Sequence, residues 1–166
     1  MTAGAPLIET VAEDPRWHAA GLEALASAAC AAALAGAGLV PRSWEISVLG
    51  CDDARIAALN GDFRKKPQPT NVLSWPAEDL SPERPGGAPR APAPEDPMLG
   101  NIAISYDTCA REAAEAGRSF AAHVSHLLVH GTLHLLGFDH IDDKDAVKME
   151  ALEIAILASM GIDDPY

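Results

Sequence analysis

The chain has 166 residues, a formal net charge of −12 and 48% hydrophobic residues, a composition typical of one ordinary soluble domain. No apolar run approaches the roughly 20 residues that a membrane-spanning helix needs, which excludes a transmembrane protein. The acidic charge repels nucleic acid at long range, so an RNA-binding function requires a local basic patch. The best candidate for that patch is the run of Arg64, Lys65 and Lys66, but composition alone favours an ordinary solvated loop at this place.

Two features of the sequence indicate the compartment. Residues 1–17 lack the basic region of a signal peptide and carry acidic residues early. The cysteines are odd in number and show no C-x-x-C pairing, which predicts reduced thiols in a cytoplasmic protein. They are Cys30, Cys51 and Cys109.

The first half of the chain alternates predicted strands and helices. Apolar and polar residues alternate over 7–13, which predicts a strand, and an Ala-rich stretch over 16–38 predicts one long helix that ends at glycines. The next predicted elements are a strand over 44–50, a short helix over 52–64 and a short strand over 71–76 that is closed by a proline.

A proline-rich segment interrupts this alternation. Residues 77–98 contain six prolines and two glycines, which excludes a regular element and predicts a mobile, variable excursion. A strand is predicted to resume over 99–107, so the excursion most simply joins two neighbouring strands. Three helices follow, over 108–117, from about residue 118 through the histidines, and over 144–161.

These elements predict an α/β (α+β) fold in a single domain over 1–166. Strands and helices alternate early and helices crowd the end, which favours one mixed sheet of about four strands with helices packed on it. The chemistry is expected on a helix in the C-terminal half and on the turn that follows it.

Five of the six histidines lie within residues 123–140. Three of them, His130, His134 and His140, have the spacing H-x3-H-x5-H. Imidazoles at i and i+4 lie on one helix face, and Gly137 can turn the chain back so that the third approaches the same point. Three neutral imidazoles with an open fourth position are typical of a catalytic zinc site rather than a closed structural one.

The neighbouring polar residues allow more than one interpretation. His126 lies one turn before His130 and is a candidate to support the metal ligands by hydrogen bonding, whereas His123 is expected to be structural. Asp139 precedes His140 and can either accept a hydrogen bond from a ligand imidazole or be only a loop carboxylate.

The residue after the first histidine separates two chemistries. Long-motif zinc proteases carry a glutamate there, which moves the proton of the metal-bound water, but this chain has Gly131. Peptide hydrolysis by that route is therefore disfavoured. Phosphodiester cleavage remains feasible, because the metal and a cation can stabilise the extra negative charge and RNA carries its own 2′-hydroxyl.

Three blocks of the sequence resemble the YbeY family, the bacterial single-strand-specific endoribonucleases implicated in ribosomal RNA maturation. They are "HGTLHLLGFDH", "LNGDFRKKPQPTNVLSWP" and "LGNIAIS". Met149, Glu150 and Glu153 also fit the final helix of the family. The resemblance runs from about residue 44 to 160, and the proline-rich segment looks like a family-variable loop.

The resemblance implies a set of site residues. One Zn²⁺ would be held by His130, His134 and His140, with His130 essential for catalysis. Arg64 would clamp a phosphate through its guanidinium group, again as a catalytic residue. Further substrate contacts are expected for Lys65, Asn71 and Ser74.

Three positions near the second and third blocks carry additional expectations. Trp75 can stack on a base at the cleft or belong to the core. Asn71 and Asn101 stand where many members of the family carry aspartate, so a role that depends on a carboxylate must be weaker or moved in this chain.

The leading functional hypothesis is a zinc-dependent, single-strand-specific endoribonuclease. The resemblance implies action in ribosomal RNA processing, at the 3′ end of 16S rRNA, and in ribosome quality control. The implied partners are single-stranded rRNA, ribosomal particles, and ribosomal proteins or a ribosome-associated GTPase, with no membrane. Two alternatives stay open: a zinc metallopeptidase-like hydrolase, and a non-catalytic ribosome assembly factor with a structural metal. Three imidazoles also accept nickel, cobalt or copper.

Overall fold

The computed structural model of the protein describes residues 6–166, except for the side chains of Phe63 and Arg64. Its elements in chain order are β1 Leu7–Ala12, α1 Arg16–Ala20, α2 Leu22–Gly36, β2 Glu45–Cys51, α3 Asp53–Arg64, β3 Val72–Pro76, β4 Met98–Ser105, α4 Tyr106–Ala116, α5 Phe120–Leu135 and α6 Asp143–Ser159. A short 3₁₀ turn, Pro41–Ser43, precedes β2.

The four strands form one mixed sheet, as the sequence predicts, and their order is β1-β2-β4-β3. β1 pairs with β2 and β2 pairs with β4 in parallel, whereas β3 runs antiparallel to β4. Because β3 and β4 are neighbours, residues 77–97 join two adjacent strands, which confirms that prediction.

The pleat of the strands sends their side chains to two different environments. Ile46, Val48 and Ile102 belong to the main core, which they share with α2, α5 and α6. Leu73 and Ala103 point to the opposite face, where they form a smaller cluster with α3. Helices therefore cover both faces, and α5 lies on the face of the main core.

The single Ala-rich helix predicted over 16–38 is wrong, because Gly21 divides it into α1 and α2. Gly21 has φ of 76°, a left-handed conformation that ends α1 and begins α2. The break allows Trp17 to enter the core fully buried and to donate its indole N–H to the carbonyl of Cys51 at 3.0 Å. The burial of one large aromatic side chain therefore outweighs the strong helical propensity of the Ala-rich stretch.

The two C-terminal helices begin at side-chain caps. Ser119 accepts a hydrogen bond from the Ala122 N–H at 3.1 Å at the start of α5, and Asp142 caps α6. The buried side chains of α6 form one stripe with the spacing i, i+4, i+7, i+8. They are Met149, Glu153, Ile156 and Leu157.

The proline-rich segment contains no helix or strand between residues 77 and 97, as predicted. Its mobility stays a prediction, but the segment packs onto the domain at two places. Leu80 is buried, and the Gly86 N–H donates to Asp145 Oδ1 on α6 at 2.8 Å. The segment therefore forms part of the molecular surface around α5 and α6.

Cys30, Cys51 and Cys109 are buried free thiols. Burial raises the pKa of Cys30 to about 11, so that thiol stays protonated and unreactive at neutral pH. Among the described residues, no helix combines the length and apolar character needed to cross a bilayer.

Candidate metal centre and histidine cleft

The three histidines of the spacing motif converge on one point. His130 and His134 lie one turn apart on α5, with their Nε2 atoms 3.0 Å apart. The ring of His140, which follows the helix, lies 5.3 Å from that of His130 and 5.1 Å from that of His134. One ligand atom from each residue lies within 4.8 Å of the others, so the group can hold a metal ion.

Gly137 makes the turn that brings His140 back to the helix. Its φ is 97°, a conformation that a side chain disfavours. A Cβ at this position would also lie 2.3 Å from the carbonyl oxygen of Leu80 in the proline-rich segment. The glycine is therefore required both by the turn and by the close approach of another backbone.

Hydrogen bonds on the far side of two rings orient the ligand atoms. The Nδ1 atom of His130 is bonded to the carboxylate of Glu153, and Nδ1 of His134 is 3.0 Å from the carbonyl oxygen of Phe138. With the proton on Nδ1, each Nε2 presents a lone pair toward the shared point. The donor set and its orientation therefore fit a metal that accepts imidazole nitrogen.

The charges around the rings favour the same state. Burial lowers the pKa of His134 to about 4, and the neighbouring His130 and His140 contribute to that shift. Burial alone would raise the pKa of Glu153, but hydrogen bonds from His126, His130 and Tyr166 outweigh it and lower that pKa to about 2. Metal binding needs a neutral imidazole, which His134 supplies, and the ionised Glu153 is able to accept the Nδ1–H of His130.

The two residues predicted to support the ligands lie close to them but differ in their contacts. His126 Nε2 is 3.5 Å from Glu153 Oε2 and 3.5 Å from the hydroxyl of Tyr166. Asp139 Oδ1 accepts a hydrogen bond from the backbone N–H of His140 at 2.7 Å, which fits the interpretation as a loop carboxylate. Support of a ligand imidazole by Asp139 stays a prediction.

His123 lies near the N-terminal end of α5, and its contacts fit the structural role that the sequence predicts. Its Nε2 lies 2.9 Å from Glu112 Oε1, and Asn71 Nδ2 donates to the same oxygen at 3.0 Å. Asn71 thus uses its amide to hold a carboxylate of α4.

The three histidines lie in an open cleft of about 530 Å³, which we call the histidine cleft. Its walls come from α5, from β3 and the residues before it, from the proline-rich segment and from the C-terminal residue of the chain. Described residues that line it include Thr70, Asn71, Ser74, Asp79, Leu80, Ser81, His126, Gly131, Phe138 and Tyr166.

The residues predicted on β3 divide between the two faces of the sheet. Asn71 and Ser74 line the histidine cleft. Trp75 pairs with Asn101 across the strands and packs against the smaller cluster on the opposite face. Base stacking by Trp75 in the histidine cleft is therefore wrong, and its interpretation as a core residue is correct. Asn101 likewise lies away from the histidines.

The basic patch lies where α3 ends. Lys65 follows the helix in a left-handed conformation with φ of 56°, and its side chain is exposed. The side chain of Arg64 lies outside the described residues, so its role as a phosphate clamp stays a prediction, as does substrate binding by Lys65.

Gly131 occupies the position of the protease glutamate and faces the sheet. A Cβ added there would lie 3.3 Å from Cδ1 of Ile102 on β4, a tight contact. Any side chain at 131 would therefore require Ile102 to shift by a few tenths of an ångström, so the packing of α5 on the sheet favours glycine there.

The matched family is described as endoribonuclease YbeY, and the match spans residues 8–161. The chain belongs to the YbeY family. A relative named "Endoribonuclease YbeY" from Dinoroseobacter shibae is 59% identical over 162 residues, which cover 96% of this chain and 90% of the relative. A relative of the same name from Ruegeria pomeroyi is 60% identical over 162 residues, covering 96% of this chain and 97% of the relative.

A solution structure from Thermotoga maritima has the same fold as this YbeY chain, with a TM-score of 0.56. The two sequences are 19% identical, and the match covers 93% of this chain and 92% of the other. The likeness supports the fold alone.

Sequence reasoning did not assign Glu153, Tyr166 or Leu80 to the site. A detectable signal existed for Glu153, because it is the one acid in the otherwise apolar buried stripe of α6. The contact of Leu80 with Gly137 and that of Tyr166 with Glu153 join residues distant in sequence. No local pattern in the sequence indicates them.

Proposed function

We propose that the chain is a single-strand-specific endoribonuclease that uses one zinc ion held by His130, His134 and His140. The observation that carries the proposal is the convergence of three imidazoles in an open cleft, with one ligand atom from each within 4.8 Å of the others. When bound, zinc would supply Lewis-acid polarisation of a phosphoryl oxygen or activation of a water molecule. The names of the family relatives support RNA as the substrate.

The remaining polar groups of the cleft would bind and orient the RNA. Arg64 would pair with a phosphate through two parallel hydrogen bonds, and Lys65 would add positive charge beside it. Asn71 and Ser74 line the cleft, and the Ser74 hydroxyl can contact the sugar-phosphate chain. Asn71 would contribute only its remaining amide N–H, because Glu112 and the Val72 N–H occupy the rest of its amide. An open cleft with the metal site on one wall and polar side chains on the other suits a flexible single strand.

Because the chain is acidic, we expect RNA binding and cleavage to depend on Arg64. The net charge of −12 opposes the approach of a polyanion, so binding must come from a few local cations and the metal. We therefore expect weak affinity for bulk RNA, and cleavage that depends strongly on a single guanidinium group.

The same site disfavours the peptidase alternative. Gly131 supplies no proton acceptor next to His130, so the group that serves as the base of the long-motif proteases is missing. A peptidase would show zinc-dependent turnover of an unstructured peptide, and a flat time course would exclude it.

We infer that the substrates are precursors of ribosomal RNA, including the 3′ end of the 16S molecule, and defective ribosomal RNA in the cytoplasm. The acidic surface favours basic partners, so ribosomal proteins, or a GTPase bound to the ribosome, would bring the enzyme to its substrate. A non-catalytic assembly factor would bind the same particles without cutting RNA.

The test uses a labelled single-stranded rRNA fragment, with metal content measured on every sample. Wild type should cleave it, Arg64→Ala should retain zinc and lose cleavage, and His130→Ala should lose both. Arg55→Ala is the matched control, because Arg55 lies in the first turn of the same helix and pairs with Glu13 at 3.4 Å. Absence of cleavage by zinc-loaded wild type would favour the assembly factor instead.

A further inference from the structure

Glu153 is a fully buried carboxylate in the apolar stripe of α6, between Met149 and Ile156. Placing an acid at such a position is costly unless hydrogen bonds compensate for the lost water. The contacts of Glu153 therefore indicate what the acid does there.

The two oxygens of Glu153 have different partners. Oε1 is bonded to Nδ1 of His130, and Oε2 accepts a hydrogen bond from the hydroxyl of Tyr166. Nε2 of His126 lies 3.5 Å from Oε2. One carboxylate thus links a predicted metal ligand to two residues of the cleft wall.

The bond to His130 decides which nitrogen is available. A carboxylate can only accept, so it selects the form of the ring with the proton on Nδ1. Nε2 is then left without a proton and points toward Nε2 of His134, 3.0 Å away. A glutamine at 153 can also offer its amide N–H₂, which would favour the opposite form of the ring.

Tyr166 fixes the carboxylate from the other side. Its ring meets the ring of His126 edge-on, with the centroids 5.6 Å apart. The segment before it is tied down, because Arg118 Nη2 donates to the carbonyl of Asp164 at 2.7 Å and the Tyr166 N–H donates to Asp164 Oδ1 at 2.8 Å.

We propose that Glu153 is a positioning residue: it holds the Nδ1–H of His130 so that Nε2 faces the metal position, and Tyr166 holds the oxygen that His130 does not use. The inference rests on the proposed function, since it assigns His130 as a metal ligand. It makes the cleft wall and the metal site parts of one hydrogen-bonded unit.

The test measures zinc affinity by competition with a chromophoric chelator, in the absence of RNA. Glu153→Gln should weaken zinc binding about 10- to 100-fold. Tyr166→Phe keeps the ring and removes the hydroxyl, and should weaken it by a smaller factor. The control Glu115→Gln, which removes an exposed carboxylate from α4, should match wild type.

Two further readouts separate positioning from a purely structural role. Thermal unfolding of the zinc-free proteins reports the contribution of each residue to the fold, and the absorption spectrum of the cobalt-loaded proteins reports the ligand geometry. A folded Glu153→Gln protein with wild-type zinc affinity and cobalt spectrum would overturn the proposal. If Glu153→Gln does not fold, Tyr166→Phe decides: unchanged affinity and spectrum overturn the proposal, and a weaker affinity with an altered spectrum supports it.

This design also distinguishes failure of the inference from failure of the proposed function. Zinc-loaded wild type that leaves RNA intact would refute the endoribonuclease, whereas the affinity difference at Glu153 would stand. Wild type that cleaves RNA, with full zinc affinity in Glu153→Gln, would refute the positioning role alone.

Discussion

Two polar clusters in this molecule differ in how their side chains are paired. The first, which we call the aspartate cluster, lies where β2 and β4 end and consists of Arg16, Asp53, Ser105, Asp107 and Thr108. Asp53 Oδ1 accepts hydrogen bonds from the hydroxyls of Ser105 and Thr108, each at 2.6 Å. Asp107 pairs with Arg16 at 2.7 Å and accepts the Asp53 N–H at 3.0 Å. Each acid meets a donor, so the cluster is complete as it stands.

The second cluster brings three groups of the same kind together. His130 and His134 have their outer nitrogens occupied by Glu153 and a backbone carbonyl, and their inner nitrogens face each other and His140. Lone pairs directed at one point repel unless a cation lies between them. Acids that are each paired with a donor, as in the aspartate cluster, indicate a structural role. Imidazoles that direct their lone pairs at one point indicate a binding site for a cation.

The largest effect is expected when a histidine of the second cluster is removed. His134→Ala removes a predicted ligand and should reduce bound zinc to near zero and abolish RNA cleavage, measured by metal analysis and a cleavage assay. His18→Ala, which removes an exposed histidine near the N-terminus, should match wild type in both assays. Full zinc content in His134→Ala would contradict the assignment of the centre.

A smaller effect is expected where the turn meets the proline-rich segment. Gly137→Ala combines an unfavourable positive φ with a 2.3 Å clash against the Leu80 carbonyl, so the turn should shift and zinc binding should weaken. Gly161→Ala is the matched control, because Gly161 has φ of 77° and space for a Cβ.

Both glycine variants should lose about 1 kcal/mol of unfolding free energy from backbone strain. Only Gly137→Ala should lose more than this and also bind zinc less tightly. Denaturant unfolding and chelator competition measure the two quantities, and equal behaviour of the variants would show that the contact with Leu80 is unimportant.

The aspartate cluster should respond in the opposite way. Asp53→Ala leaves the hydroxyls of Ser105 and Thr108 without their acceptor, and should cost about 1–3 kcal/mol of unfolding free energy. Zinc content and cleavage per folded molecule should be unchanged. A loss of zinc affinity comparable to that in His134→Ala would remove the distinction between the clusters.

The smallest effect is expected at the exposed edge of the aspartate cluster. Hydrogen bonding to Arg16 is the main cause that lowers the pKa of Asp107 below 3.8, its value in an unfolded chain. A lowered folded pKa contributes stability above pH 3.8, and this contribution is lost as the pH falls through the folded value.

Arg16→Ala should therefore have the smallest effect on stability at neutral pH among these variants, because the pair is exposed to solvent. It should also flatten the decline of stability below about pH 3.8. Unfolding of the zinc-free proteins across that range measures both effects, and identical profiles for the two proteins would contradict the role of the pair.

The parts of the fold and site that could be predicted from the sequence are those with a local cause. The spacing of His130, His134 and His140 depends only on helix geometry and one glycine turn, so the cluster follows directly from the motif. The strands and their mixed sheet follow from alternation and from the order of the elements.

The remaining features depend on packing between distant segments. Gly21 breaks the Ala-rich helix because Trp17 is buried against β2, and helical propensity carries no information about that contact. The face occupied by Trp75 depends on which side of the sheet carries α5. The bond between Glu153 and His130 joins α6 to α5, and no sequence motif indicates that these two helices are in contact at this point.

The placement of the proline-rich segment has a consequence for how this enzyme family can vary. Pro76 and Gly100 are register partners on neighbouring strands, and the Ala77 N–H donates to the carbonyl of Leu99 at 2.9 Å, so the segment leaves the sheet and returns to nearly the same place. Closing a flexible loop costs only about 0.6 kcal/mol for each doubling of its length. One wall of the cleft can therefore be lengthened, shortened or exchanged by insertion and deletion, while the strand register and the histidine helix stay unchanged. The histidine cleft and the segment that tolerates changes of length most easily are therefore direct neighbours in this fold.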